Sequence, residues 1–402
     1  MGNVIIDFQV ALYSFIFSMS LVSVLFLIRY YNKYSMYIIT FIIFSILMGL
    51  CYEVHDYNIY AELYAGANYF DINYIGDIET SNWYGFSYDY GFALIGKICN
   101  ILGLSYEEFR FVSETILIGI LFLIIIKIVS SANLFIMILS LYIIFPFWDD
   151  IFQMRNFYVE VLFIVAFILY VYSHKYKIIK YTCIMFIATS FHSIAWAYLP
   201  FALLKKLGNN FFVKKIYRVL IIFGLMLPLY AMFIGTVLAP ISVLVLSNLT
   251  GLPDSFTGHY MGYLGESMGF GWLIPYIYSV LSLLCLWGYL PKLEKRAGNN
   301  HTLSIQYLKA LLTMMCFICI FLPLQPFTSN LMRIPRNTLV LNYIGLALSM
   351  PLLKQKEKFL GYCIALLCAF IMGLSDFYVE TNDSSFGFYE VLENNFLFDI
   401  LN

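Results

Sequence analysis

The chain has 402 residues, of which 62% are hydrophobic and 12% charged, with a mean hydropathy of +0.82 and a formal net charge of −1. Soluble domains carry about half apolar and a quarter charged residues, so this composition excludes an ordinary soluble domain and marks a polytopic membrane protein. The apolar runs are long and do not alternate, which excludes a closed barrel and leaves helices to satisfy the backbone inside lipid.

Residues 1–9, MGNVIIDFQ, hold Asp7 and no Lys or Arg, unlike the basic start of a signal peptide, so residues 10–28 are expected to stay as a first span. A second span is expected at 36–52. Residues 53–110 then form a large external loop rich in Tyr, Trp and Phe, with Asp56, Asp71, Asp77, Glu79 and Asp89 interleaved. Within it, 91–104 has apolar faces but is too short to span, and reads as an interfacial or re-entrant helix. Aromatic faces beside carboxylates suit sugar rings, and Tyr60, Trp83 and Tyr88 are the candidates here. An interfacial aromatic belt accounts for about half of the loop's tyrosines.

Spans follow at 110–127, 134–147 and 157–173. The stretch 181–204 has Lys175, Lys177 and Lys180 before it and Lys205, Lys206, Lys214, Lys215 and Arg218 after it. Both flanks belong on one side of the membrane, so 181–191 and 193–204 read as a hairpin of two short helices with His192 near its tip. A span at 217–236 leads to a second external loop, 248–271, glycine-rich and holding His259, Tyr260, Tyr263 and Glu266. It is either a lid over a cavity mouth, with Tyr260 and Tyr263 facing sugar, or an ordinary connection. Spans at 272–290, 307–323, 338–353 and 359–375 precede an acidic external tail, 376–402. The whole is expected to be one integral membrane domain, 1–402, all-α, a bundle of about twelve spans counting the hairpin.

This topology places Arg29, Lys33, Lys127, both hairpin clusters, Lys292, Lys295, Arg296, Lys309, Lys354, Lys356 and Lys358 in the cytoplasm. Only Lys97, Arg110, Arg155, Arg333 and Arg336 remain outside, with nearly all the carboxylates. Arg155, in MRNFYVEVLFIV, and Arg333 and Arg336, in SNLMRIPRNTLVL, sit at span ends on the side that otherwise avoids positive charge. Arginine at such depth is costly unless it meets an anion. Snorkelling, or pairing with Asp149, Asp150 or Glu160, accounts for any one of them. For all three, a shared anionic ligand is the better account, because the guanidinium fork binds phosphate and carboxylate bidentately.

The eight cysteines are scattered through apolar runs, which argues against a disulfide framework, and CFIC at 316–319 reads as core filler. GxxxxGK[ST], strand-borne GxGxxG, HExxH and GxSxG are all absent, and the cytoplasmic loops leave no room for a nucleotide-binding domain. An external activity must therefore take a substrate that arrives already activated, and a lipid-linked sugar diphosphate meets that condition.

The segments HDYNIY (55–60), DYGFALIGKI (89–98), MRNFYVEVLFIVAF (154–167), FHSIAWAYLP (191–200) and RIPRN (333–337) run in the order found in the EpsG/Wzy-type polysaccharide polymerases, which the chain resembles. Asp89 stands where Glu is common in that family, and Asn156 follows Arg155 where Gln is usual. The resemblance implies the helical scaffold of the GT-C-like membrane glycosyltransferases and a bacterial cytoplasmic-membrane enzyme facing the periplasm. The implied reaction transfers a growing glycan from undecaprenyl diphosphate to the non-reducing end of a lipid-linked repeat unit, as in O-antigen or capsule synthesis. Implied partners are the lipid-linked donor and acceptor, membrane lipid and a chain-length regulator protein, with no nucleic acid, no cofactor and no metal. Arg155, Arg333 and Arg336 would hold the diphosphate, and Asp89, Asp56, Asp150, Glu160 and His192 are the catalytic candidates. Glu160, one turn beyond Arg155, is read first as that arginine's partner, and His192 also as a hydrogen-bonding strut.

A ligase or single-addition glycosyltransferase of related scaffold is the nearest rival, and a flippase of lipid-linked oligosaccharide the next. No internal repeat of the kind transporters carry is seen. His55, His174, His192, His259 and His301 are scattered over both faces, which disfavours a membrane acyltransferase.

Overall fold

The computed structural model describes residues 18–30, 32–52, 57–70, 90–129, 131–203, 218, 222, 226, 273–298, 301–322, 325, 329–379 and 395. The candidates Asp56, Trp83, Tyr88, Asp89, Tyr260 and Tyr263 lie outside these residues, as do the loop 248–271 and most of the tail and of the span expected at 217–236. Among the described residues the secondary structure is helical, apart from one isolated bridge between Cys51 and Asn395.

The chain divides into two units, Met1–Leu199 with Leu346–Asn402, and Pro200–Gly345. The first holds α1 (Ser18–Ile28), α2 (Lys33–Gly49), α3 (Tyr57–Gly66), α4 (Tyr90–Ile101) and α5 (Tyr106–Val129). It continues with α6 (Ala132–Ile144), α7 (Phe147–Phe152), α8 (Met154–Tyr172) and α9 (Lys177–Thr189), then a tight helical stretch, Ser193–Tyr198. The second unit holds α10 (Leu273–Ala297), α11 (Thr302–Ile318) and α12 (Arg333–Arg336). Helix α13 (Leu339–Ser349) runs over the boundary, and α14 (Gln355–Val379) returns to the first unit.

Three of these helices, α5, α8 and α10, are by themselves long and apolar enough to cross a membrane. At 1.5 Å per residue their 24, 19 and 25 residues match a hydrocarbon layer of about 30 Å. Two other apolar helices are shorter than the spans expected of them. The run expected at 134–147 stops at Ile144, because Pro146 disfavours helix at the residue before it and Phe145 is extended (φ −170°, ψ 137°). Asp149 and Asp150 therefore stand on a separate short helix, α7. The run expected at 338–353 is an eleven-residue helix followed by a tight turn, Met350–Leu352.

In the first unit α2 runs antiparallel to α5, with Gly49 against Phe111 and Gly119 against Phe41. The α8–α9 turn falls at 173–176, and Gly373 of α14 meets the Ile144 end of α6. These pairings collect Lys33, Lys127, Lys175, Lys177, Lys180 and the lysines at 354–358 at one end of the helices. The second unit sorts its charge likewise. Lys309 pairs with Glu294 at 2.6 Å beside the α10–α11 turn, while Asn342, after α12, meets Tyr278 and Met315 at the far ends of those helices. Cys319 packs in an apolar cluster with Leu283, Met315 and Leu322, and Cys316 lies against it, as expected of core filler.

Candidate functional site

The site in the first unit begins with a turn that is written in the sequence. Helix α4 ends with Gly103 at φ +77°, a conformation side chains rarely adopt, and the Leu104 N–H returns to the Cys99 carbonyl at 3.1 Å. Two residues later Ser105 and Glu108 cap α5 reciprocally: the Glu108 carboxylate accepts from the Ser105 N–H at 2.8 Å and the Ser105 hydroxyl from the Glu108 N–H at 3.2 Å. The start of α5, and with it Arg110, is thereby set against α3.

Helix α3 presents Tyr57, Tyr60 and Tyr64 on one face, as spacings of three and four residues require. Tyr64 stacks on Phe109 (4.8 Å, 20°), Tyr60 meets Phe92 at 5.9 Å, and Tyr57 packs edge-on to Tyr106 at 5.0 Å. The Tyr64 hydroxyl donates to the Leu104 carbonyl at 2.8 Å. Burial, aided by Cys99, Glu108 and Glu107, pushes that phenol up to about 12, so it stays a donor. Tyr57 donates to the Glu107 carboxylate at 2.5 Å, and Lys97 to the Phe70 carbonyl.

Two guanidinium groups lie over this face. The Arg155 group sits 5.3 Å from the centre of the Tyr60 ring, and that of Arg110 6.0 Å from the centre of Tyr57. From Ile151 to Val161 every residue except Arg155 is buried. Arg110 by contrast is buried, with its Nε on Glu114 at 2.9 Å and its Nη2 on the Ile151 carbonyl at 2.8 Å. Asp150 is wholly buried and accepts from the Tyr142 hydroxyl at 2.8 Å, while Asp149 accepts from Gln153 at 2.8 Å. Asn156 and Glu160 are buried in α8.

The hairpin closes on the same end of the unit. The Gly91 N–H donates to the Ser190 carbonyl at 2.7 Å, and Phe191 stacks on Tyr158 of α8 (4.4 Å, 5°). His192 falls between α9 and the Ser193–Tyr198 stretch, as expected of a hairpin tip, and its Nδ1 accepts the Ile194 N–H at 3.1 Å. A neutral ring that accepts through Nδ1 carries its proton on Nε2, so His192 is placed as a donor.

In the second unit Arg333 and Arg336 form the ends of the four-residue α12, with Pro335 tolerated because no helical N–H is needed there. Arg336 is buried and Arg333 half-buried. The Thr338 hydroxyl donates to the Pro335 carbonyl at 2.6 Å, and Asn342 donates to the Tyr278 hydroxyl at 2.6 Å, which fixes α13 on α10.

The structure thus brings Arg155 and Tyr60 into contact, sets Arg333 beside Arg336, and places Asp150 on Tyr142 and His192 at the hairpin tip. Sequence reasoning passed over Arg110, Glu114 and Tyr57. The signals were the i, i+4 spacing of Arg110 and Glu114 inside an apolar helix and the spacing of Tyr57 and Tyr60. Among the described residues no group of three His, Cys, Asp or Glu side chains is placed to hold a metal ion.

Residues 34–390, nearly the whole chain, match the EpsG family. No curated protein and no solved structure matches the chain.

Proposed function

The chain belongs to the EpsG family, and from that premise we propose that it is a polysaccharide polymerase that elongates lipid-linked glycans at the extracytoplasmic face of the bacterial cytoplasmic membrane. The growing glycan leaves undecaprenyl diphosphate and is joined to the non-reducing-end hydroxyl of a lipid-linked repeat unit. The observation that carries this reading is the half-buried Arg155 side chain over Tyr60, at the end of the first unit opposite its lysine-rich end. Lysine-rich ends face the cytoplasm, so this end faces outward.

Breaking the sugar–diphosphate bond leaves negative charge on the departing diphosphate, and a fixed cation in a water-poor cleft stabilises that charge most as it develops. Arg155 is assigned that role in the first unit, and Arg333 and Arg336 the same chemistry in the second. The tyrosine face of α3 supports Arg155 from one side, with Tyr60 buried beneath the guanidinium and against Phe92 rather than open to a sugar ring. His192, with its proton on Nε2, is assigned the donor of a hydrogen bond to substrate rather than the base. Asp150, held by Tyr142, is assigned the positioning of α7, and Glu160 is wholly buried in α8, which leaves Asp56 and Asp89 as candidates for activating the acceptor hydroxyl.

The test is elongation of lipid-linked repeat units by the purified chain with nothing else added. Ladders of lengthening product support a polymerase. A single addition, or dependence on a second acceptor, supports a ligase or transferase instead, and movement of labelled oligosaccharide into vesicles without lengthening supports a flippase.

A further inference from the structure

We infer that Arg110 is a positioning residue for Arg155, an inference that rests on the diphosphate reading of Arg155 and extends it. Four contacts carry it, all within the first unit. The Arg110 Nε is tied to Glu114 on its own helix, which fixes the side chain's direction. Its Nη2 donates to the carbonyl of Ile151 in the last turn of α7, one of the carbonyls that a helix end leaves without a helical donor. Its guanidinium carbon lies 6.0 Å from the centre of Tyr57, and three residues along the same helix Tyr60 lies under Arg155. The chain breaks between α7 and α8 at Gln153 (φ −110°, ψ 60°), itself held on Asp149, so the Ile151 carbonyl ties Arg110 to the turn that delivers Arg155 just before the break.

Arg110 therefore joins the three pieces that define where the Arg155 guanidinium stands: the α5 wall, the α7–α8 break and the α3 tyrosine face. A buried ion pair is a poor device for stability alone, because an apolar pair of similar volume often does as well or better. What an apolar pair cannot do is donate to Ile151 and set a cation over Tyr57 while Glu114 holds it from behind. Lysine cannot do this either, since it lacks the planar fork. Misplacement of a reacting group by about 1 Å costs on the order of a hundredfold in rate, so small shifts at this joint are readable.

The experiment is a double-mutant cycle on the full chain in detergent, with affinity for undecaprenyl diphosphate read directly and elongation read alongside. Arg155→Gln is expected to weaken binding at least tenfold and Arg110→Lys about tenfold, by loss of the fork and displacement of Arg155 respectively. The two together are expected to bind within about twofold of Arg155→Gln alone, because Arg110 acts through Arg155. Losses that multiply in the double variant overturn the inference, as does an Arg110→Lys protein that binds and elongates like the parent. The paired variant Arg110→Met/Glu114→Leu guards against a mere folding defect. It is expected to keep or raise the unfolding temperature yet lose elongation, and parental elongation in that protein overturns the inference. Should Arg155→Gln bind and elongate normally, the diphosphate reading itself falls, and the role of Arg110 falls with it.

Discussion

Gly91 donates its N–H to the Ser190 carbonyl at 2.7 Å, and a Cβ built at position 91 would lie 2.1 Å from the Ser190 hydroxyl oxygen and 2.9 Å from its carbonyl oxygen. Helix α4 and the hairpin turn thus meet backbone to backbone, at the end of the unit where Arg155 and His192 stand. Gly91→Ala is expected to lower stability by about 1–3 kcal/mol, the usual cost of overpacking, and to lower elongation with it. Adding Ser190→Gly removes the hydroxyl and Cβ clashes but not the carbonyl one, so thermal unfolding of the double variant should recover in part. An alanine variant that unfolds and elongates like the parent would show that this joint is not tight.

How much of this was legible beforehand differs from residue to residue. The α4–α5 turn was written in Gly103 and in Ser105 with Glu108, and the hairpin around His192 in its flanking lysines, because caps and charge sidedness act locally. Gly91 stood in a motif, but no local rule says which backbone a glycine will admit. Arg110 and Arg155 carry the same charge and lie on the same side, yet one is fully buried on Glu114 and the other only half-buried over Tyr60. That difference comes from tertiary packing of α3 and α7, which spacing along the chain does not encode. The break at Phe145–Pro146 was readable and was missed because the apolar run continues past it.

Arg155 separates charge from shape. Its guanidinium lies 5.3 Å from the Tyr60 ring centre, within cation–π range, and a lysine ammonium does not reproduce the fork. Arg155→Gln is expected to lower kcat by about 10²–10³ while membrane content stays at the parental level. Arg155→Lys should fall between the two, with long ladders replaced by short ones on a gel. Equal activity of the Gln variant and the parent would remove Arg155 from the chemistry.

His192 does two things that substitution can part. Its Nδ1 caps the Ile194 N–H at 3.1 Å, and asparagine can do the same through its side-chain oxygen. His192→Asn should therefore keep the fold, whereas His192→Ala loses the cap and is expected to cost about 1 kcal/mol in unfolding free energy. If the Nε2 proton serves only structure, the Asn variant elongates normally. The assignment of His192 as a donor to substrate requires instead that Asn and Ala variants lose elongation alike, despite their different stabilities.

Sidedness can be read without any substrate. In the first unit the α8–α9 turn carries Lys175, and Lys177 opens α9, while Ile101 ends α4 next to the capped start of α5, at the end that holds Arg110 and Arg155. Ile101 and Tyr176 are both well exposed, at 75% and 71%, so single cysteines there would be open to reagent. In a background with the native cysteines replaced, Ile101→Cys is expected to react with a membrane-impermeant maleimide in intact spheroplasts. Tyr176→Cys should react only after permeabilisation, since lysine-rich ends stay in the cytoplasm. The reverse pattern would put the Arg155 face on the cytoplasmic side. There it would meet nucleotide-activated sugars rather than finished repeat units, and the external polymerase would have lost its substrate.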